Sequence, residues 1–180
     1  GANLGIGVLL PVVWGHLKGY QQERIISFLD PGSNRLDEGW QVFQSKIAIG
    51  SGGLAGKGFL FGSQKALEFL PAKHTDFIFS VLGEEEGFVG ALFVLVLFGV
   101  LIVRALFLAN KAKGEFTSTV CIGIAAYFFF QTLINVAMTT GMAPVTGIPL
   151  PFVSYGGSSL IVSCFAVGLL LNCSVRWYEY

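Results

Sequence analysis

The sequence predicts an all-α fold, a polytopic bundle of membrane-spanning helices. Of the 180 residues, 53% are hydrophobic and only 12% are charged, whereas soluble domains carry about 25% charged residues. Long apolar runs recur along the chain, and a helix that crosses a bilayer needs about 20 such residues. The formal net charge is zero, which gives no reason to expect a nucleic-acid partner.

Four apolar runs define the predicted membrane helices. Residues 1–17 are predicted to be the end of one helix, since the chain opens at Gly1 inside an apolar run, and we expect the C-terminal part of a longer protein. Residues 87–109 and 116–138 are predicted to span the membrane. Residues 158–180 are predicted to form the last helix and a cytoplasmic end, where aromatic side chains suit the lipid headgroups.

Basic residues predict which connections face the cytoplasm. The link 110–115 is short, and Arg104, Lys111 and Lys113 lie in it or beside it. The positive-inside rule gives short loops more weight than long ones. It therefore favours a cytoplasmic link and an extracytoplasmic loop at 18–86, although that long loop is itself basic.

A loop rich in proline and glycine, residues 139–157, is predicted to precede the last helix on the outer side. Prolines interrupt it, and apolar residues stand between them. Non-helical backbone near a membrane has to be buried in protein or to line a wet cavity. We therefore expect this loop to line a pocket.

Asp76 is the candidate catalytic residue. It follows Lys73, His74 and Thr75, just ahead of an apolar run. One interpretation is structural: Asp76, or Thr75 in its place, caps a helix that begins near Phe77. The other is functional, because a carboxylate at the mouth of a membrane helix is placed to take a proton from a hydroxyl group. The residues alone leave both interpretations open.

Lys46, Lys57 and Lys73 are candidates for holding a pyrophosphate, since ammonium groups pair with phosphate as point charges. The alternative is that they are solvated loop lysines. The glycine-rich stretch 50–62 does not fit a Walker A loop, because Gly58 follows the lysine where serine or threonine is required. A flexible loop that packs against helices is the simpler interpretation of this stretch.

Other polar residues have simple structural interpretations. Glu84 to Glu86 are compatible with a metal site or with a solvated first helical turn; we assign Glu85 to the turn and leave the other two open. Gln131 and Asn135 lie four residues apart, on one helix face, and are predicted to hydrogen-bond to a neighbouring helix.

The cysteines lie in apolar runs without metal-ligand spacing. No Ser-x-x-Lys motif supports serine acyl transfer.

Three motifs together resemble a known family. They are QSKIAIGSGG at 44–53, EFLPAKHTDFIF at 68–79 and PVTGIPLPFVSYGGS at 144–158. In this order they resemble the shape, elongation, division and sporulation (SEDS) family, its elongation members more than its division members. The resemblance covers nearly the whole chain, and the last motif is long enough to be highly specific.

The resemblance implies a ten-helix membrane fold with both termini in the cytoplasm, of which this chain would cover the end of the seventh helix to the tenth. It implies a glycosyltransferase of the bacterial inner membrane that polymerises lipid II into peptidoglycan strands on the outer face. The expected partner is a class B penicillin-binding protein, a transpeptidase. The family's essential acidic residue falls on Asp76. A divalent cation, Mg²⁺ or Mn²⁺, is expected, with no ligands evident.

The expected substrate-binding residues lie within these motifs or near them: Lys46, Lys57, Lys73, His74, Ser154 and Tyr155. Two other functions stay open. Broken segments interrupted by proline and glycine are typical of transporters, so the chain is also compatible with a flippase that moves lipid II across the bilayer. A membrane scaffold for a partner enzyme is the third interpretation.

Overall fold

The computed structural model describes residues 15, 18–29, 38–58, 76–112 and 114–176. All regular secondary structure in these ranges is helical, which confirms the predicted fold class. The helices are α1 (Gly19–Leu29), α2 (Glu38–Gly52), α3 (Ile78–Glu85), α4 (Gly87–Lys111), α5 (Glu115–Thr139) and α6 (Gly157–Arg176). The predicted membrane stretch at 1–17 lies outside the described residues, apart from Gly15.

The last three helices are long and apolar enough to cross a membrane. The candidate spans are Gly87–Lys111, Glu115–Thr139 and Gly157–Val175, with mean hydropathies of 2.8, 1.8 and 1.9. The first two spans are each slightly longer than the sequence predicts. Lengths of 19 to 25 residues match the roughly 30 Å hydrocarbon core at 1.5 Å per residue. The chain is a multi-pass membrane protein.

Small residues bring α4 and α5 together. Ala91, Phe98 and Ala105 recur every seven residues on α4 and are buried in one cluster. On α5 the cluster includes Cys121, Ala125 and Phe128. Alanine lets two membrane helices approach closely, so that dispersion contacts replace the hydrophobic effect that lipid cannot supply. α6 adds Ala166 and Leu170 to this core.

A Schellman motif ends α5. The amide of Gly141 donates to the Met138 carbonyl at 3.1 Å, and the amide of Met142 donates to the Ala137 carbonyl at 2.7 Å. Gly141 has a φ of 71°, the left-handed conformation that this motif needs at the residue after the cap. The chain thereby leaves the helix sharply and enters the proline- and glycine-rich loop.

The described part of the glycine-rich stretch, residues 50–58, packs against the corner between α3 and α4, and residues 59–62 lie outside the described ranges. The amides of Lys57 and Gly58 donate to the carbonyls of Glu84 and Glu85, both at 3.0 Å. A Cβ on Gly52 would overlap the carbonyl oxygen of Gly83. These contacts support the packing part of the prediction but not the flexibility, because residues 50–52 belong to α2 and 53–58 are tied to the corner by backbone hydrogen bonds.

We expect Gly52→Ala to destabilise the full-length protein by about 1–3 kcal/mol, the usual cost of forcing extra volume into a packed site. Gly50→Ala is the matched control, two residues earlier on α2, since nothing lies within 4 Å of a Cβ there and alanine is the better helix former. Thermal unfolding in detergent compares the two variants. Equal midpoints for both would contradict the close contact between α2 and α3.

Candidate functional site

Asp76 lies just before α3 and does not cap it. The N-cap residue of α3 is Phe77, and no side chain makes a capping hydrogen bond there. The capping interpretation of Asp76 is therefore wrong, and Thr75, the alternative cap, lies outside the described residues. Phe77 itself is completely buried and packs with Val42 and Val145. This apolar anchor fixes the backbone on one side of Asp76 and leaves the carboxylate available for another task.

The Asp76 side chain is half-buried and faces the proline- and glycine-rich loop. A Cβ on Gly147 would lie 3.4 Å from Asp76 Oδ2, and Gly147 has a φ of 71°. Within the part of the chain that the structure describes, no hydrogen bond or salt bridge engages the carboxylate. Asp76 therefore presents unpaired acceptor oxygens beside a loop whose backbone comes close to them.

Asn135 on α5 joins the two segments that meet at Asp76. Its side chain is fully buried, and its Nδ2 donates to the carbonyl of Asp76 at 3.0 Å and to that of Ile148 at 2.8 Å. Asn135 has the predicted structural role, since its side chain hydrogen-bonds to other segments of the protein. Its partners, however, belong to loop segments rather than to a neighbouring helix. Gln131, one turn earlier, has a buried Oε1 without a partner among the described residues.

A buried hydroxyl network holds α2, α3 and α5 together beneath the site. Ser45 Oγ donates to the Thr139 carbonyl at 2.6 Å and lies 2.5 Å from Ser80 Oγ. Because Ser45 spends its one hydroxyl proton on Thr139, Ser80 is the donor between the two serines. All three residues are fully buried. Sequence reasoning missed this network, since isolated serines and threonines on separate helices carry no recognisable signal.

Lys46, on α2, extends its side chain to the end of α5, in a groove next to the Asp76 segment. A Cβ on Gly141 would overlap the end of the Lys46 side chain, so the ammonium group rests against the C-terminus of α5, where a cation is favourable. The groove has a volume of about 100 Å³, and Arg24, Val42 and Val145 also line it. Since Val42 and Val145 contact Phe77 as well, the groove shares a wall with the packing site of Phe77, the residue that follows Asp76.

Lys57 forms a salt bridge with Glu84. Its Nζ lies 2.8 Å from Glu84 Oε1, and the two side chains are 32% and 1% exposed. This pairing counts against the prediction that Lys57 holds a pyrophosphate, because the charge of Lys57 already compensates a buried carboxylate.

The prediction that Glu85 belongs to a solvated first turn is wrong, since Glu85 ends α3 and is 7% exposed.

The remaining predicted substrate-binding residues divide into three groups. Ser154 Oγ accepts the amide hydrogen of Leu150 at 2.7 Å and is buried, so it stabilises the turn at 150–154. Tyr155 is 83% exposed and is open to a ligand. Lys73 and His74 lie outside the described residues. Substrate contact by any of them stays a prediction.

The described residues do not form a recognisable metal centre. No group of three His, Cys, Asp or Glu side chains there is close enough to hold a metal ion. Mg²⁺ is often bound by one or two carboxylates, with water and substrate phosphate completing its shell. Asp76 is the one such carboxylate that this site offers, so these residues do not by themselves form a metal site. The predicted cation stays a prediction.

We expect Lys57→Met to destabilise the full-length protein by about 1–3 kcal/mol, because the buried Glu84 carboxylate loses a charged donor. Adding Glu84→Gln should recover part of this loss, since no buried charge is then left without its counterion. Thermal unfolding of both single variants and the double variant completes the cycle. Additive effects of the two substitutions would show that the ion pair contributes nothing.

Comparison with known proteins gives consistent matches. A family model described as cell cycle protein FtsW/RodA/SpoVE matches residues 1–179. Peptidoglycan glycosyltransferase MrdB of Escherichia coli K12 is 46% identical over 168 residues, 93% of this chain and 45% of that protein. A probable peptidoglycan glycosyltransferase FtsW of Trichlorobacter lovleyi is 47% identical over 155 residues, 86% of this chain and 40% of that protein.

Two solved structures are also similar. A peptidoglycan synthase complex, described as coordinating polymerization and crosslinking, matches with a TM-score of 0.72 and 34% identity, over 99% of this chain and 49% of that chain. An aspartate-to-alanine mutant of the rod shape determining protein RodA of Thermus thermophilus matches with a TM-score of 0.54 and 40% identity, over 66% of this chain and 37% of that chain.

The chain spans less than half the length of the curated relatives it matches. The family match nevertheless runs from the first residue to the penultimate one, and the same fold recurs in solved members. This chain belongs to the FtsW/RodA/SpoVE family of cell cycle proteins, the SEDS family.

Proposed function

We propose that the protein to which this chain belongs is a peptidoglycan glycosyltransferase, which polymerises lipid II into glycan strands during cell elongation and the maintenance of cell shape. The names of the curated relatives support this reaction. The observation that carries the proposal is the Asp76 carboxylate. It is half-buried, has no partner among the described residues, and is held at a fixed place by Asn135 and Phe77.

Asp76 acts as the general base in this proposal. Its carboxylate takes the proton from the 4-hydroxyl of the acceptor sugar as that oxygen attacks the anomeric carbon of the donor. The new glycosidic bond forms while the bond from the anomeric carbon to the pyrophosphate breaks, with inversion. Undecaprenyl pyrophosphate leaves with the bonding electrons, and Asp76 returns its proton to solvent.

Lys46 supplies positive charge for the departing pyrophosphate. It lies in the groove that shares Val42 and Val145 with the anchor of Asp76, and the groove combines cationic with apolar walls. Interactions that strengthen as charge develops in the transition state raise the rate of reaction. Lys57 is less suited to this role because of its salt bridge to Glu84.

The reaction takes place on the outer face of the bacterial inner membrane. Asp76, the start of α4 and the end of α5 lie at one end of the bundle, as the hydrogen bonds of Asn135 require. The short link between α4 and α5 lies at the other end, beside Arg104 and Lys111. The positive-inside rule assigns that basic end to the cytoplasm.

The proposed partner is a class B penicillin-binding protein that crosslinks the new strands. A solved relative comes from a complex described as coordinating polymerization and crosslinking, which supports such a pairing for this family member. A divalent cation belongs to the proposal as a requirement for activity, without ligands assigned in this chain.

We expect Asp76→Asn in the full-length protein to lower lipid II polymerisation by about 10²–10⁴-fold, the usual contribution of a general base, with unchanged folding and partner binding. Glu115→Gln is the matched control, since it makes the same chemical change at an exposed position at the opposite end of α5. Gel analysis of glycan products from purified protein and lipid II measures the effect. Polymer formation by Asp76→Asn at the rate of the control would remove Asp76 from the mechanism.

The same preparation separates polymerisation from flipping. In liposomes, a flippase would move labelled lipid II across the bilayer without lengthening it, whereas a polymerase produces glycan ladders. Polymer formation by the full-length protein without its partner would exclude a purely scaffolding role.

A further inference from the structure

We propose that Asn135 is a positioning residue for the Asp76 base. Its carboxamide nitrogen donates hydrogen bonds to both the Asp76 carbonyl and the Ile148 carbonyl, and thereby holds the two segments together. This inference rests on the proposed function, because it gives Asn135 a part in the same reaction. It goes further in assigning catalytic geometry to a buried residue inside a membrane span, away from the loop that carries the base.

The hydrogen-bond partners fix the orientation of the Asn135 carboxamide. Nδ2 lies 3.0 Å from the Asp76 carbonyl oxygen and 2.8 Å from the Ile148 carbonyl oxygen. Both partners are acceptors only, so the amino group and not the amide oxygen has to face them. Oδ1 is then turned away and finds no donor among the described residues. Asn135 therefore leaves its own acceptor unsatisfied while it joins two loop segments.

The two carbonyls belong to the two segments whose relative position defines the site. Asp76 carries the base, and Ile148 follows Gly147, where a Cβ would lie 3.4 Å from Asp76 Oδ2. A displacement of either segment would change the distance between the carboxylate and the loop. A misplacement of about 1 Å can lower the rate of an enzymatic reaction by 10²-fold. The double hydrogen bond from α5 thus sets the position of the base relative to the loop.

Nearby contacts do not replace this link. Phe77 is anchored by Val42 and Val145, which restrain it through non-directional packing, and Thr139 bonds to Ser45 rather than to the Asp76 segment. Asn135 donates to the backbone of both segments, one hydrogen bond to each.

The test uses the full-length protein with Asn135→Ala and Asn135→Leu. Leucine roughly preserves the volume and adds no polar group of its own to the span; because the two carbonyls lose their donor, the number of lipid II-binding sites serves as the check on folding. Gln131→Ala is the matched control, since it removes a carboxamide from the same helix one turn away, whose buried Oε1 has no hydrogen-bond partner among the described residues. Fluorescent lipid II is the probe for binding stoichiometry, Kd, kcat per bound site and KM.

We expect both Asn135 variants to lose 10- to 100-fold in kcat per lipid II-binding site, with stoichiometry, Kd and KM within about twofold of the wild type. The Gln131→Ala control should keep wild-type values. A purely structural role would lower the number of binding sites in proportion to activity and leave kcat per site unchanged, which would overturn the inference. Wild-type kinetics in Asn135→Leu would overturn it as well.

These outcomes are distinct from failure of the proposed function. If wild-type protein polymerises lipid II and Asp76→Asn does not, the reaction stands whatever the Asn135 variants do. If the wild-type protein does not polymerise lipid II at all, the proposed function fails, and the positioning role fails with it.

Discussion

A carboxamide buried in a membrane helix has to satisfy its hydrogen-bonding groups within the protein, because lipid offers no partner. Asn135 meets this constraint with its amino group, which donates to two carbonyls that are 59 and 13 residues away along the chain, while its Oδ1 has no partner among the described residues. The arrangement brings the segment before α3 and the loop after α5 to the same end of the bundle. The position of Asp76 beside Gly147 depends on that constraint. Without these two hydrogen bonds, both segments would be restrained mainly by apolar packing, which restricts their positions less tightly.

The rest of the structure supplies a rigid frame around this point. Close backbone contact between Gly52 and Gly83, the salt bridge from Lys57 to Glu84, and the hydroxyl network of Ser45 tie α2 and the stretch that follows it to the helices near Asp76. Each of these interactions is buried or partly buried, where an unmet polar group is costly. The segment that carries the proposed base is therefore held by Asn135 and Phe77, while the Asp76 carboxylate makes no hydrogen bond or salt bridge with the described residues.

Much of the fold followed from hydropathy alone. The apolar runs near 87–109, 116–138 and 158–180 became α4, α5 and α6, because a bilayer imposes both the length and the composition of a spanning helix. The site was predictable only in part. The motif around Asp76 drew attention to this residue, but the sequence could not exclude a capping role, since capping and catalysis favour the same short acidic side chain.

Long-range pairing explains what sequence reasoning missed. Lys57 and Glu84 are 27 residues apart, and nothing in either local pattern indicates that they meet. Glu85 was misassigned because three adjacent acids match a solvated helix start, whereas the boundary between α3 and α4 falls at Glu86, and Glu84 and Glu85 are buried. The approach of Gly147 to Asp76 depends on a left-handed backbone conformation. A glycine between prolines permits such a conformation, but the sequence does not specify what the glycine will face.

Thiol labelling at position 76 tests most directly whether this side chain lies open at the outer face. The native cysteines, Cys121, Cys164 and Cys173, are first replaced by serine or alanine, and Asp76→Cys is introduced into the full-length protein. A membrane-impermeant maleimide is then applied to intact spheroplasts. We predict labelling without permeabilisation. Labelling only after permeabilisation, or none in either condition, would contradict an open base on the outer face.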